Sequence, residues 1–570
     1  MSVPARSGLL GSSMVARDEG AALLPPVAAA SARPLLHARE MAALTGVLSA
    51  GVAIRLMQIS QPFVDRWSSR QADVAMIARN FHRHGFNIFY PQIDWAGSAP
   101  GYVGTEFPLV PFLAASLYPL FGEHEWMGRS VSVFFFAVSV PFLYLLVRKV
   151  SNERSALFAA SIYTLAPLGI FSSRAFMPDM ASLSLSVAAL YFFAEWLDRE
   201  RDARLFAASC AAASLAILVK LPAIIIGLPL AYLVARAHGS QFLRRPELWG
   251  WAAVTLGFPL AWYLHAHAVS IAHAPHHMFG EGGLRLADLG SYADAVSEVA
   301  IAGLTPLVTV AMLAGLVVPT RSRFGGVFHW WLLAIMLFML LAGRGSSWHP
   351  WYQLPLVPVA AAFAGRTVDL ALTRVTRAGG ARVAAVLGCL YLVGVAGVAA
   401  VHVRPLYEPL AQPLREAGRE IDRLAPAEAL VVFTEWDPTT VYYSRRKGWR
   451  LERTGVPWAV PRDADEAIGA LDALRARGAR YLVFTRHARW WFDRYAGLEQ
   501  HLDLRYRRVL DNDDCTIFNL ADVTPPAWLP RPHGGHPGRV SVHAVAYPRS
   551  GVALASGSAG AADAPLSREG

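Results

Sequence analysis

Charge is scarce in this chain. Of 570 residues only 16% are Asp, Glu, Lys or Arg, while 54% are hydrophobic. Cysteine is scarcer still. Of Cys210, Cys389 and Cys515, two fall inside apolar runs, which excludes a disulfide framework. Residues 1–40 lack a basic start followed by an apolar core, so no secretory signal is read there. They are expected to be a disordered cytoplasmic segment, with the first apolar run, from Met41, acting as an uncleaved anchor. No internal repeat is visible. The histidines His265, His267, His273, His276 and His277 match no standard zinc spacing and read as polar loop residues.

Apolar runs are what the chain has in abundance. Eleven are long enough to be read as membrane crossings: about 41–59, 129–147, 154–171, 180–196, 204–219, 221–235, 248–265, 301–318, 327–342, 351–372 and 382–402. A polytopic α-helical membrane protein is therefore expected. The net charge of +10 is distributed topologically. With the N-terminus inside, the inner loops carry Arg148, Lys149 and Arg154, then Arg199 to Arg204, Arg236 to Arg245, Arg321 with Arg323, and Arg374 to Arg382. The outer connections are poorer in Lys and Arg, as the positive-inside rule requires. This basic excess fits anionic lipid headgroups, and no nucleic-acid partner is expected.

Membrane domain 41–404 includes an outer loop, 60–128, of unusual polarity. Residues 405–520 alternate strand-like runs (ALVVFTEW, RYLVFT, LRYRRVL, CTIFNL) with helical ones and predict a small outer α/β domain. Residues 521–570, rich in Pro, Gly, Ala and Ser, read as a disordered tail.

Ionisable groups are nearly missing from the middle of the apolar runs, which argues against a transporter or flippase for a lipid-linked glycan. Instead they gather on outer connections: Asp73, Asp94, Glu106, Arg174, Asp179, Lys220, Arg344 and His349, the last beside Tyr352. In QADVAMIARNFHRHG, Val74, Ile77, Ala78 and Phe81 form an apolar stripe, predicting a helix in the interface plane. Asp73 then sits where partial desolvation raises its basicity, as a general base needs. The ordinary explanation, a solvated or capping Asp paired with Arg70, has similar weight. Glu106 opens a second juxtamembrane helix started by Pro108, as hydroxyl binder, metal ligand or first-turn acid. Asp179 after Pro178 has the same choices. Lys220 and Arg344 suit either a lipid phosphate or snorkelling. A divalent metal is left open, with Glu106 and His265 as its weak candidates.

These segments together resemble the GT-C superfamily of membrane glycosyltransferases, nearest the branch of protein O-mannosyltransferases, the lipid A aminoarabinose transferase and lipopolysaccharide-core galacturonosyltransferases. The resemblance spans about 40–400. It rests on ARNF, EFPLVPFLAASLYPLFG followed by Gly128 and Arg129, SRAFMPDM, LVKLP and HPWYQLP. It implies an inverting transferase that moves a sugar from a polyprenyl-phosphate carrier to a glycolipid, polysaccharide or protein outside a bacterial cytoplasmic membrane. Asp73 is implied as the base, with Asp94 as its substitute. Glu106 and Asp179 would bind hydroxyls, and Lys220, Arg344 and His349 would face the phosphate. The chain departs from the pattern in two places. Arg70 and Gln71 stand where relatives often carry an Asp-Glu pair, and Phe107 stands where the aminoarabinose type has Lys. The rival readings are the transporter and a non-catalytic scaffold acting through 405–520.

Overall fold

The computed structural model describes residues 37–200, 202–280, 286–342, 349–456 and 458–521. The calls on 1–36, on 522–570 and on Arg344 lie outside the described residues.

Every apolar run is helical, but not every run is one straight helix. The first five are Ala38–Leu56, Glu125–Val150, Glu153–Leu165 continued by Pro167–Ser172, Asp179–Asp198 and Ala203–Val219. Prolines set the breaks: Pro167 starts a new helix, and Pro222 and Pro350 each sit in the first turn of a short 3₁₀ segment. Among the described residues, five helices are long and apolar enough to cross a membrane, or six if the pair Leu289–Gly303 and Pro306–Gly315, bent by 105°, counts as one. The expected eleven runs are all present as helices. As crossings, these criteria admit about half of them.

Small residues let helices approach closely. An added Cβ at Gly365 would lie 2.5 Å from the Ser155 carbonyl, so only glycine allows Leu356–Gly379 to lie against Glu153–Leu165. Large side chains such as Phe258, Leu260, Leu264, Leu390, Val393 and Val401 are exposed on the outside of the bundle, where lipid is the matching solvent.

The helix Glu125–Val150 fixes the polarity of the bundle. At its start Glu125 accepts a hydrogen bond from the Tyr443 hydroxyl of the C-terminal domain (2.9 Å). At its end Lys149 pairs with Glu195 (2.8 Å) and Asp198. Asp198 also meets Arg323, and Arg245 meets Glu200 (2.7 Å). The basic loops therefore gather at the end opposite the C-terminal domain, as their charge bias predicted.

That domain holds a mixed sheet of β1 (Leu430–Phe433), β2 (Gly448–Arg450), β3 (Ala479–Thr485), β4 (Arg507–Asp511) and β5 (Cys515–Asn519), in the order β2-β1-β3-β5-β4. β1 pairs parallel with β2 and β3, and β5 runs antiparallel to β3 and β4. The short β2, the helix Gln412–Leu424 and the helix Thr439–Ser444 extend the expected set.

The juxtamembrane helices also form, at Ser68–His84 and Leu109–Phe121. The first does not lie exposed in the interface plane. Residues 71–81 are all buried, because Leu109–Phe121 packs on one side and Thr439–Ser444 covers the other. Backbone pairing completes the dock: Gly97 N–H donates to the Gly448 carbonyl (2.6 Å), and Gly448 N–H donates to that of Asp94 (2.9 Å). Gly97 has φ +67°, and a Cβ there would meet the Trp449 ring at 1.9 Å. Gly97→Val is expected to undock the domain, which limited proteolysis of membrane vesicles would show as faster cleavage within 405–520.

Candidate active site

Two buried ion networks and one isolated carboxylate divide the polar residues between the bundle and the C-terminal domain. In the first network, one Asp65 oxygen accepts from Arg129 (3.1 Å) and Arg174 (3.2 Å), the other from Gln71 (2.7 Å). Arg129 also donates to the carbonyls of Ile59, Gln61 and Pro62. Arg174 donates to the Gln58 carbonyl (2.6 Å) and the Gln61 side chain (2.9 Å). Arg174, expected to face substrate, is instead consumed in fixing residues 58–65 as they leave the first helix.

Asp94 has an equally structural place. Arg79 donates to its Oδ2 (2.6 Å) and Asn80 to its Oδ1 (3.0 Å), and Arg79 continues to the Tyr442 carbonyl (2.7 Å). With both oxygens engaged and its charge paired, Asp94 is a poor substitute for a base. His265 points away as well, its Nε2 on the Phe89 carbonyl (2.9 Å). Among the described residues the one group of acids and histidines with ligand spacing is His37, Glu40 and Glu153, near the far end of the bundle. Glu106 and His265 form no such group.

The remaining candidates line up. Arg70 donates to both oxygens of Glu106 (2.8 and 2.9 Å), which also accepts from Thr105 (2.8 Å). Burial alone would raise the Glu106 carboxyl, but Arg70, Lys220 and Thr105 hold it below the ordinary value. Lys220 reaches Asp179 (2.6 Å), and its ammonium lies 5.0 Å from the centre of the Tyr352 ring. The placement of Lys220 is local chemistry: helix Ala203–Val219 ends there in an extended residue before the Pro222 turn. His349 stacks on Trp351 (4.6 Å) and meets Tyr352 edge-on (5.8 Å).

Asp73 stands one turn from Arg70 yet forms no ion pair among the described residues. Its sole hydrogen bond here is from the Trp95 indole N–H (3.4 Å). Burial, opposed by Arg70, Arg450 and Trp95, pushes its carboxyl up to about 6. Trp95 and Arg450 were not singled out from sequence. Arg450 ends β2 and packs against both Trp95 (4.3 Å) and Trp458 (4.4 Å), whose rings meet edge-to-face. His277 packs on both Trp95 and Trp458, and burial with the fields of Arg450 and Arg70 brings it down to about 3, so it is neutral.

Two clefts adjoin the Lys220 end. One, narrow, with a volume of about 40 Å³, is lined by Asp179, Lys220, Ser182, Ser186, Tyr352 and apolar side chains. The other, about 580 Å³ and almost wholly apolar, lies among helices Ala203–Val219, Gly227–His238 and Pro246–Ala272. Ile226 lines both.

Residues 104–263 match the family model described as dolichyl-phosphate-mannose-protein mannosyltransferase. The whole structure is similar to ArnT from Cupriavidus metallidurans bound to undecaprenyl phosphate. That likeness has a TM-score of 0.57 at 16% identity, covering 83% of this chain and 97% of the other. The likeness is one of fold. A second likeness of fold is to the oligosaccharyltransferase AglB from Archaeoglobus fulgidus in complex with an inhibitory peptide and a dolichol-phosphate. Its TM-score is 0.56 at 12% identity, covering 87% and 75% of the two chains. No curated protein matches the sequence. The candidate membrane spans and this fold indicate a multi-pass membrane protein, with the polar line described above at the end that bears the C-terminal domain.

Removing one partner of a buried ion pair leaves the other uncompensated, at a cost of about 3–5 kcal/mol. Asp65→Ala and Asp94→Ala should therefore each lower the thermal unfolding midpoint of the detergent-purified protein markedly, by destabilising Arg129 with Arg174, and Arg79, respectively.

Proposed function

We propose that this protein is an inverting GT-C glycosyltransferase that moves a sugar from a polyprenyl-phosphate carrier to an acceptor hydroxyl, with Asp73 as the base. The observation that carries the reading is the contrast between Asp73 and its neighbours. Glu106, Asp179, Asp65 and Asp94 all have cationic partners, while Asp73 is buried, unpaired and raised to about 6. A carboxylate kept basic in this way costs stability and is suited to taking a proton near neutral pH.

In the proposed step the acceptor oxygen attacks the anomeric carbon as its proton passes to Asp73. The bond between that carbon and the phosphate oxygen breaks, and polyprenyl phosphate leaves as an anion. A single displacement inverts the anomeric centre. The leaving group needs a cation more than an acid. Lys220 supplies it at the mouth of the cleft, with His349 and Tyr352 beside it, and the adjoining apolar cleft suits the carrier's hydrocarbon. The comparison proteins bound to undecaprenyl phosphate and to dolichol-phosphate support such a ligand. Glu106 and Asp179 orient sugar hydroxyls. A divalent metal at Glu106 would have to displace Arg70, so the neutralising role is assigned to Lys220. The reading places the reaction on the outer face of a bacterial cytoplasmic membrane, with a glycolipid, polysaccharide or protein of the envelope as acceptor.

Asp73→Asn, inserted at normal abundance in a deletion strain, should fail to restore the envelope sugar that wild type restores, as read by mass spectrometry of envelope glycans. Full restoration would remove Asp73 from the role of base. Transfer by membranes should fall as pH drops below about 6, because protonated Asp73 accepts no proton. The linkage has a second sign. A carboxyl raised from 3.8 to about 6 in the folded state adds stability that is fully present below pH 3.8 and lost through about pH 6. At pH 7 Asp73→Asn should therefore stabilise the fold, by up to about 3 kcal/mol at 1.36 kcal/mol per unit. An inactive variant with a raised unfolding temperature separates catalysis from folding.

A further inference from the structure

The Arg450 side chain is only 8% exposed, and its Nη2 donates to the Trp436 carbonyl (2.9 Å). Its Nε and Nη1 are buried with no hydrogen-bond partner. The guanidinium lies 4.3 Å from the centre of the Trp95 ring and 4.4 Å from that of Trp458, two rings that meet edge-to-face (5.8 Å), and Trp436 stacks on Trp458 (5.4 Å). Aromatic faces partly offset the lost hydration of a guanidinium but leave its in-plane N–H groups unsatisfied. The other large buried cations beside the site differ in holding a carboxylate, Arg70, Arg79, Arg129 and Arg174 alike, although Arg174 Nε is itself without a hydrogen-bond partner. Arg450 forms no ion pair among the described residues, and the carboxylates whose fields reach it are Asp73, Glu452 and Asp437.

The position of this edge follows from who neighbours whom. Glu106 lies in the fields of Arg70 and Lys220, and Asp73 in those of Arg70 and Arg450. The order is thus Lys220, then Arg70 with Glu106, then Asp73, then Arg450. Trp95 joins the last two directly, its N–H on Asp73 and its face on Arg450. On the reading above, Lys220 serves the carrier phosphate at the membrane end. Arg450, contributed by the soluble domain, stands at the end from which an acceptor would approach the base.

We infer that the vacant edge of Arg450 is an anion-recognition site for the acceptor, which therefore carries a phosphate or carboxylate close to the hydroxyl that Asp73 activates. The inference rests on Asp73 being the base of a glycosyl transfer. The planar fork suits such oxygens, and binding them would satisfy N–H groups that otherwise stay buried and unpaired. Trp458 closes the edge, so an anion enters when that ring swings aside. Trp95 remains behind as the floor that keeps acceptor and base in register.

Two experiments test it, each with full-length protein. Thermal unfolding in nanodiscs is followed with inorganic phosphate, and separately with glucuronate, against chloride at matched ionic strength. Either probe should raise the wild-type midpoint by about 1 °C, which corresponds to roughly 1 kcal/mol of linkage. The rise should vanish in Arg450→Gln and persist in Trp458→Ala, which opens the box without touching the fork. No rise in wild type with either probe, or an equal rise in Arg450→Gln, overturns the site.

The second experiment is envelope mass spectrometry of the deletion strain complemented with Arg450→Gln, Arg450→Lys or Asp73→Asn. Arg450→Gln should lose the product by tenfold or more, Arg450→Lys should keep part of it, and the wild-type product should show an acidic group on the acceptor. A neutral acceptor, with or without an acidic transferred sugar, overturns the inference. Loss with Asp73→Asn but not with Arg450→Gln overturns it alone, whereas product retained in Asp73→Asn removes the transferase reading itself.

Discussion

The structure depends on one buried carboxylate, Asp65, held between two guanidiniums. Two charges of one sign and one of the other are stable in this interior because most of the remaining donors find a carbonyl or amide, Arg174 Nε being the exception. The network joins the exit of the first helix to the start of Glu125–Val150, to the turn before Asp179, and through Gln71 to the helix that carries Asp73. Four segments distant in sequence are thus given one arrangement. The catalytic proposal needs that rigidity, because a base misplaced by an ångström loses most of its advantage.

Around this anchor the charges are arranged by degree of compensation. Asp65 and Asp94 are fully paired, and their role is mechanical. Glu106 with Arg70 and Asp179 with Lys220 are paired, and the second pair borders a cleft, where a bound oxygen can compete for the same donor. Asp73 and Arg450 share a field without touching, and each retains an unmet need. That gradient, from saturated to unsaturated, separates scaffold from chemistry more sharply than residue type does, since aspartates occupy every rank.

Much of this was legible in the sequence. Apolar runs gave the helices, basic loops gave the far end, and Pro108, Pro178 and Pro222 marked where polar residues leave the bundle. Asp73, Glu106, Asp179, Lys220 and Tyr352 do come together. Pairing was not legible. Asp94 and Arg174 look like candidates in a linear text, because their partners Arg79 and Asp65 are chosen by tertiary contact. Arg344 lies outside the described residues. Arg450 carried no local signal, since GWR is a three-residue strand with no period to detect. Helix Ser68–His84 read as half-exposed because its second cover comes from a domain hundreds of residues away.

That distance has a consequence for biogenesis. The hydrogen bond from Arg79 to Tyr442 closes a loop of 363 residues, and the pairing of Gly97 with Gly448 closes one nearly as long. The first loop is made early and waits outside the bundle while every membrane helix is inserted. Only after residue 450 has been made can Trp95 acquire its arginine. Contacts of such long range form slowly, so a nascent or truncated chain would present Asp73 without Arg450 beside it. Chain completion itself then acts as a timer, keeping the pocket unfinished until the whole protein is in place.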